Sequence, residues 1–207
     1  RTTPTKISNL SNVTSLAAGY YYSLALTQDG TVYAWGLNSS GQLGLGDTEN
    51  RTIPTKISNL SNVTSLVAGG LHTFALTQDG SVYAWGYNSY GQLGLRNTQN
   101  RTTPTKISNL SNVTSLAVGG HHSFALTQDG TVYAWGQNDY GQLGLGNTQN
   151  RTTPTKISNL SNVTSLVAGG KHSFALTQDG SVYAWGYNGY GQLGLGDTQR
   201  RTTPTKI

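Results

Sequence analysis

The feature that most constrains this chain is a repeat: a 50-residue phrase occurs four times without interruption and then begins a fifth time. Arg1, Arg51, Arg101, Arg151 and Arg201 each open the phrase, and Trp35, Trp85, Trp135 and Trp185 hold one position inside it. Aligned unit on unit, 34 of the 50 columns carry the same residue in all four copies, and residues 201–207 repeat residues 1–7 letter for letter. A period of this length marks architectures in which each unit is one supersecondary element that needs neighbours to cover its faces. The array therefore divides into units 1–50, 51–100, 101–150 and 151–200, plus the duplicated segment 201–207. Natural arrays drift, so identity of this order points to recent amplification or to deliberate construction.

Each unit reads as four short strands. In the first unit, Val13 to Ala18 is one and Tyr22 to Thr27 the next, with Gly19 in the turn between them. Asp29-Gly30 is a hairpin signal, because Gly accepts positive φ freely and Asp tolerates it. Thr31 to Gly36 is the third strand, and Thr3 to Ile7, or Ile53 to Ile57 in the next copy, the fourth. Its proline suits a sheet edge, where a missing N–H breaks no ladder. In the third strand Val32 and Ala34 point one way and Tyr33 and Trp35 the other, so both faces are apolar. A sheet facing water on one side alternates more cleanly. These features predict an all-β propeller of four-stranded antiparallel blades, four to the chain.

The run Val82-Tyr83-Ala84-Trp85-Gly86, then Asn88, then Gly91-Gln92-Leu93-Gly94, resembles the regulator-of-chromosome-condensation type repeat. Ala68-Gly69-Gly70, His72 and Ala75-Leu76 fit the same family, and the match recurs in all four units. Kelch repeats share the length and the Gly-Gly, Tyr and Trp vocabulary but lack the Gly-Gln-Leu-Gly run after the tryptophan. The resemblance implies a propeller, usually of seven blades. It also implies proteins that act as exchange factors on a small GTPase, bind chromatin, or inhibit β-lactamase. This chain has four units and none of the irregular insertions that give family members a specialised face.

Sheets apolar on both sides cannot end against water without leaving a large exposed apolar face. Four blades would close alone only with a much larger wedge angle than a seven-blade ring. Two chains meeting head to tail would give eight blades with a modest change of angle, so the expected arrangement is an eight-bladed ring formed by homodimerisation. A monomeric ring and a larger assembly are the alternatives. In the family the fourth strand completes the preceding blade. Residues 1–7 and 201–207 would then compete for one edge at each junction, one copy paired and the other displaced.

Strand alternation puts the first-to-second and third-to-fourth connections on one face of the disc, and there the copies differ. Conservative swaps inside strands aside, the variable positions include Tyr20, Tyr21 and Tyr22 against Gly70-Leu71-His72, Gly120-His121-His122 and Gly170-Lys171-His172. With them go Leu37, Tyr87, Gln137 and Tyr187, and the pairs Ser39-Ser40, Ser89-Tyr90, Asp139-Tyr140 and Gly189-Tyr190. The opposite turns, Ser8 to Asn12 and Gln28 to Gly30, do not vary. Tyrosine gives a large contact area at low entropic cost, which makes the variable face the candidate site for a protein partner. Tolerated surface substitution is the other explanation of the same pattern. The equivalent His72, His122 and His172 read as structural. Zinc needs its ligands at about 2 Å around one point, and one imidazole per blade stands too far from its neighbours.

Catalysis finds no foothold. The acids Asp29, Asp79, Asp129 and Asp179 sit in hairpin turns, where such side chains serve the backbone. There is no paired carboxylate, no nucleophile with a base, and no phosphate-cradling loop leading into a helix. No cofactor or metal is implied. The net charge of +5 comes largely from Arg and Lys spaced evenly around the array, whereas a nucleic-acid surface clusters them on one face. No apolar run is long enough to cross a membrane. The chain reads as a non-enzymatic scaffold that pairs with itself. The other readings are a protein-interaction module and, by family analogy, a chromatin or small-GTPase partner.

Overall fold

The computed structural model describes residues 2–207 and contains sixteen strands arranged as four antiparallel blades. The first is β1 (Val13–Ala18), β2 (Tyr22–Thr27), β3 (Val32–Gly36) and β4 (Arg51–Lys56), hydrogen-bonded in that order. The second repeats it with β5 (Val63–Ala68), β6 (His72–Thr77), β7 (Val82–Gly86) and β8 (Arg101–Lys106). The third holds β9 (Val113–Val118), β10 (His122–Thr127), β11 (Val132–Gly136) and β12 (Arg151–Lys156). The fourth holds β13 (Val163–Ala168), β14 (His172–Thr177), β15 (Val182–Gly186) and β16 (Arg201–Lys206). No helix occurs among the described residues.

Two strand limits move from those expected. Thr31 falls out of β3, because the Asp29 carboxylate accepts hydrogen bonds from the Thr31 N–H at 3.1 Å and the Thr27 hydroxyl at 2.6 Å and holds it in the turn. The fourth strand covers Arg51–Lys56 instead of Ile53 to Ile57, and Pro54 sits in it at the edge of the sheet. The duplicated segments have different fates. Arg201–Lys206 is β16 and pairs with β15, Tyr183 opposite Lys206 and Gly186 opposite Arg201. Thr3 to Ile7 belong to no strand and lie exposed.

The core lies between blades. From the leading blade come Leu24, Leu26, Val32 and Leu43 of the first unit, and from the following blade Val63, Leu66, Ala75 and Trp85. The next two interfaces reuse most of these columns, with Phe74 and Phe124 where the first unit has Leu24. Each face of an inner blade is thus sealed by a neighbour, which explains why strands such as β6 are buried along their whole length.

Deleting residues 201–207 strips a ladder of hydrogen bonds worth about 1 kcal/mol each from the edge of β15. A loss of a few of these lowers the thermal midpoint of a chain this size by roughly 5 °C or more. Residues 2–7 are exposed and belong to no strand, so the melting curve after deletion of residues 1–7 should overlay that of the parent.

Candidate functional site

The variable face is built by a rigid loop in each blade. In the first unit, the Asn38 carboxamide oxygen accepts from Leu43 N at 2.9 Å, and its amide donates to Asp47 O at 3.0 Å. The Gln42 side-chain oxygen accepts from Ser40 N at 2.8 Å. Asn88, Asn138 and Asn188 repeat the first brace, and Gln92, Gln142 and Gln192 the second. The motif's Asn and Gln are therefore spent on shaping the loop. A backbone bond then ties it to the neighbouring turn: Leu37 N to Tyr21 O, Tyr87 N to Leu71 O, Gln137 N to His121 O and Tyr187 N to Lys171 O, all 2.9 Å. Columns 21 and 37, far apart in the unit, are thereby locked side by side.

On this frame the aromatic side chains gather into clusters that bridge blades. Tyr87 and Tyr90 of the second blade meet His121 of the third, with ring centroids 5.7 and 5.3 Å from the imidazole. Tyr140 of the third blade meets Tyr187 of the fourth edge-on at 5.0 Å, and Tyr187 in turn meets Tyr190 at 6.0 Å. Lys171 places its ammonium 4.7 Å from the centre of the Tyr140 ring, within cation–π range. Leu71 lies half-buried on the same face. Tyr20 and Tyr21 form an edge-to-face pair at 6.4 Å on the first blade, and both are exposed. The Tyr20 ring reaches over Gly70, and its hydroxyl reaches Gly120, in a cavity lined by the Gly-rich turns of the four blades.

Tyr22, His72 and His122 do not belong to this face. All three are buried between blades, and His172, whose outer side no blade covers, is half-buried. The Ser123 hydroxyl donates to Gln92 O at 3.0 Å, so the 3.1 Å contact to His72 must be donated by the Nε2–H of the imidazole. His122, Ser173 and Gln142 O repeat the relay at 3.0 Å and 3.0 Å. In both rings Nδ1 is left as a buried nitrogen without a partner. Tyr22 takes the column's place in the first blade by donating to His72 O at 2.6 Å. Burial, with the nearby imidazoles, holds His72 and His122 neutral, pulling each pKa down to about 3. His121 is lowered as well, by partial burial and by Lys171.

The arginines that open the later repeats are also committed. Arg51 and Arg201 pair with Asp47 and Asp197 at 2.6 Å, and Arg101 and Arg151 reach the side-chain oxygens of Asn97 and Asn147. Each clamps its own loop.

What sequence reasoning missed lies between blades. The carbonyl of Gln42 accepts from Trp85 Nε1 at 3.0 Å and from the Thr73 hydroxyl at 3.0 Å. Gln92 and Gln142 do the same for Trp135 and Trp185, at 2.8 Å each. The motif glutamine thus acts across the interface through its backbone, which no pattern of side-chain types announces.

These features define a propeller repeat array with a constant framework and one variable, aromatic face. A family model described as an RCC1-like domain matches residues 1–207, and the chain belongs to that family. Among solved structures it is similar to Prp20p of Saccharomyces cerevisiae, at 33% identity and a TM-score of 0.90 over 99% of this chain and 53% of that one. Human WBSCR16 matches with 30% identity and a TM-score of 0.88, over 98% of this chain and 55% of that chain. The human regulator of chromosome condensation is 47% identical over 47 residues, 23% of this chain and 11% of that protein. The chain therefore spans about half the length of these two solved structures, and its matches cover a small fraction of the curated relatives.

The histidines give a pH signature. Between pH 6.5, the ordinary imidazole value, and about 3, the unfolded chain binds protons that the folded chain refuses. Stability is full above neutrality and falls as pH drops through this window, by about 2 kcal/mol per histidine at pH 5. His122→Tyr, which copies the first unit's Tyr22, should recover about that amount of the loss between pH 7 and 5. Denaturant titrations at the two pH values measure it.

Proposed function

We propose that the chain is a non-enzymatic binding scaffold that completes its ring by self-association and holds a protein partner on its aromatic face. The observation that carries the binding role is the gathering of Tyr87, Tyr90, Tyr140, Tyr187, Tyr190, His121 and Lys171 into clusters bridging blades, on loops whose frame does not vary. Rigid, amphipathic rings at the centre of a contact are what concentrated binding energy requires. The ring reading rests on the two outermost sheets, which leave apolar side chains bare. An eight-blade homodimer covers both with one kind of contact.

Family membership supports a particular class of partner. One solved relative, yeast RCC1 (Prp20), was crystallised bound to Kap60, and another study of Prp20p addresses its binding to Gsp1p and histones. We extend to this chain a protein partner of that kind, a small GTPase or a histone.

Light scattering should give about 44 kDa, twice the 22.0 kDa chain, and a mass of one chain would remove the ring. For the face, purified histones and a Gsp1p-type GTPase are passed over the immobilised chain and over a variant with Tyr87, Tyr90, Tyr140 and Tyr187 changed to Ser. Truncating hot-spot tyrosines costs about 2 kcal/mol or more each, so affinity should fall by at least 100-fold. Equal binding to both surfaces, or to neither, counts against the aromatic face as the site for such partners.

A further inference from the structure

The large apolar side chains that stand exposed all belong to the first blade, the fourth blade or the terminal segments; the two inner blades contribute none among the described residues. Leu16 is 70% exposed, while Leu66, the same column one blade later, is 5% exposed. Val13 is bare beside it. At the other end Val167, Leu176 and Val182 are bare, although Val132 and Leu126, the counterparts of the last two, are buried. These two surfaces are the following half and the leading half of the contact that the chain already makes three times internally.

Column by column the halves match. On the fourth blade the leading half offers His172, Phe174, Leu193 and the Gln192 carbonyl, the residues that blades two and three use. On the first blade the following half offers Ser23, Ala25 and Trp35, again the residues of blades three and four. Trp35 is partly exposed where Trp85, Trp135 and Trp185 are sealed. Gly44, Gly94 and Gly144 lie so close to the next blade's indole that an added Cβ would meet its Nε1 at 2.8, 3.0 and 3.0 Å. Gly194 has the same thin loop and meets nothing.

Two departures from the repeat point the same way. Column 40 of one blade stacks on column 21 of the next, as Tyr90 does on His121, and Lys171 lies over Tyr140. The unmatched members of that pairing are Tyr190, 88% exposed, and Tyr21, 74% exposed. Column 3 is Thr103, Thr153 and Thr203 elsewhere, but in β4 it is Ile53, an apolar side chain left 58% exposed. Its counterparts Thr103 and Thr203 lie against the loop glycines Gly46 and Gly146 of the preceding blade.

We infer that the fourth blade of one chain receives the first blade of a second copy of this chain, in the register of the internal interfaces. Trp35 enters the Gly191–Gly194 loop of the other copy, and its Nε1 donates to Gln192 O. The Ser23 hydroxyl donates to that same carbonyl and accepts from His172 Nε2. Tyr21 stacks on Tyr190, Ile53 covers Gly196, and the Gly196 N–H donates to Thr52 O, as Gly46 N does to Thr102 O at 2.9 Å. Docking also joins the aromatic clusters of the two chains across the junction, extending the face proposed above. This register rests on the self-association reading and is narrower than it.

The chain contains no cysteine, so single thiols can be placed at will. Tyr21→Cys and Tyr190→Cys chains are mixed and treated with a short bismaleimide. Cross-linked dimer should form in the mixture, and neither variant should cross-link alone. Leu16→Arg, a change at an exposed side chain, should keep the parent's circular dichroism and melting curve below the association range. It should weaken association by at least 100-fold. A doubled mass with cross-linking by Tyr190→Cys alone would overturn the head-to-tail register and leave self-association standing. A mass of one chain for the parent would take both down.

Discussion

Everything in this molecule depends on one contact, the indoles of Trp85, Trp135 and Trp185 seated in the Gly-Gln-Leu-Gly loop of the blade before each. The indole N–H needs an acceptor once buried, and the loop supplies the backbone carbonyl of Gln42, Gln92 or Gln142. The glutamine side chain meanwhile turns its oxygen back to brace its own loop. The loop is thin enough for the ring because its glycines at positive φ carry no side chain, as at Gly94 (φ 71°). Loop shape, hydrogen-bond satisfaction and apolar burial are therefore one device, and exchanging any of its residues disturbs the other functions.

The consequence is a division of labour between columns. Residues that face a neighbouring blade are held by the same partners three times over, so a substitution there damages every interface that uses it. The hydrogen bonds that hold columns 21 and 37 to the framework run through their backbones, as from Leu37 N to Tyr21 O. The side chains there are free to differ, and they do, as Leu71, His121 and Lys171 show at one column. The variability on one face follows from where the hydrogen bonds end.

How much of this could be read beforehand follows the same line. Blade length and strand order were legible, because they are written in side-chain types: alternation in Val32–Gly36 and Asp29-Gly30 in the hairpin; of the candidate face, column 22 was misplaced, since Tyr22, His72 and His122 lie between blades. The histidine column was legible only as structural. Its place between blades depends on Ser123 and Ser173, 51 residues further on in each case, and no local pattern records that. Equally hidden was the use of Gln42 through its carbonyl, since a backbone acceptor has no letter. The end surfaces were predictable as a category and invisible as residues. Leu16 and Leu66 are the same letter in the same column, and only their position in the array exposes one and buries the other.

That last point separates a repeat array from an ordinary domain. In most domains an interface must be encoded by surface residues distinct from the core. Here the proposed interface uses the same columns as the core, so ending an array after any whole blade exposes a matched pair of surfaces without further change. Fidelity of the repeat then sets how well the ends fit: near-identical units present ends complementary to the same degree as the internal contacts. The departures at Tyr21 and Ile53 fall on the uncovered following half, where no internal interface constrains them, and both replace a smaller or more polar residue with a larger apolar one. Left in water, such changes only add exposed apolar surface; against a blade they add contact, as Tyr190 and Gly196 are placed to receive them.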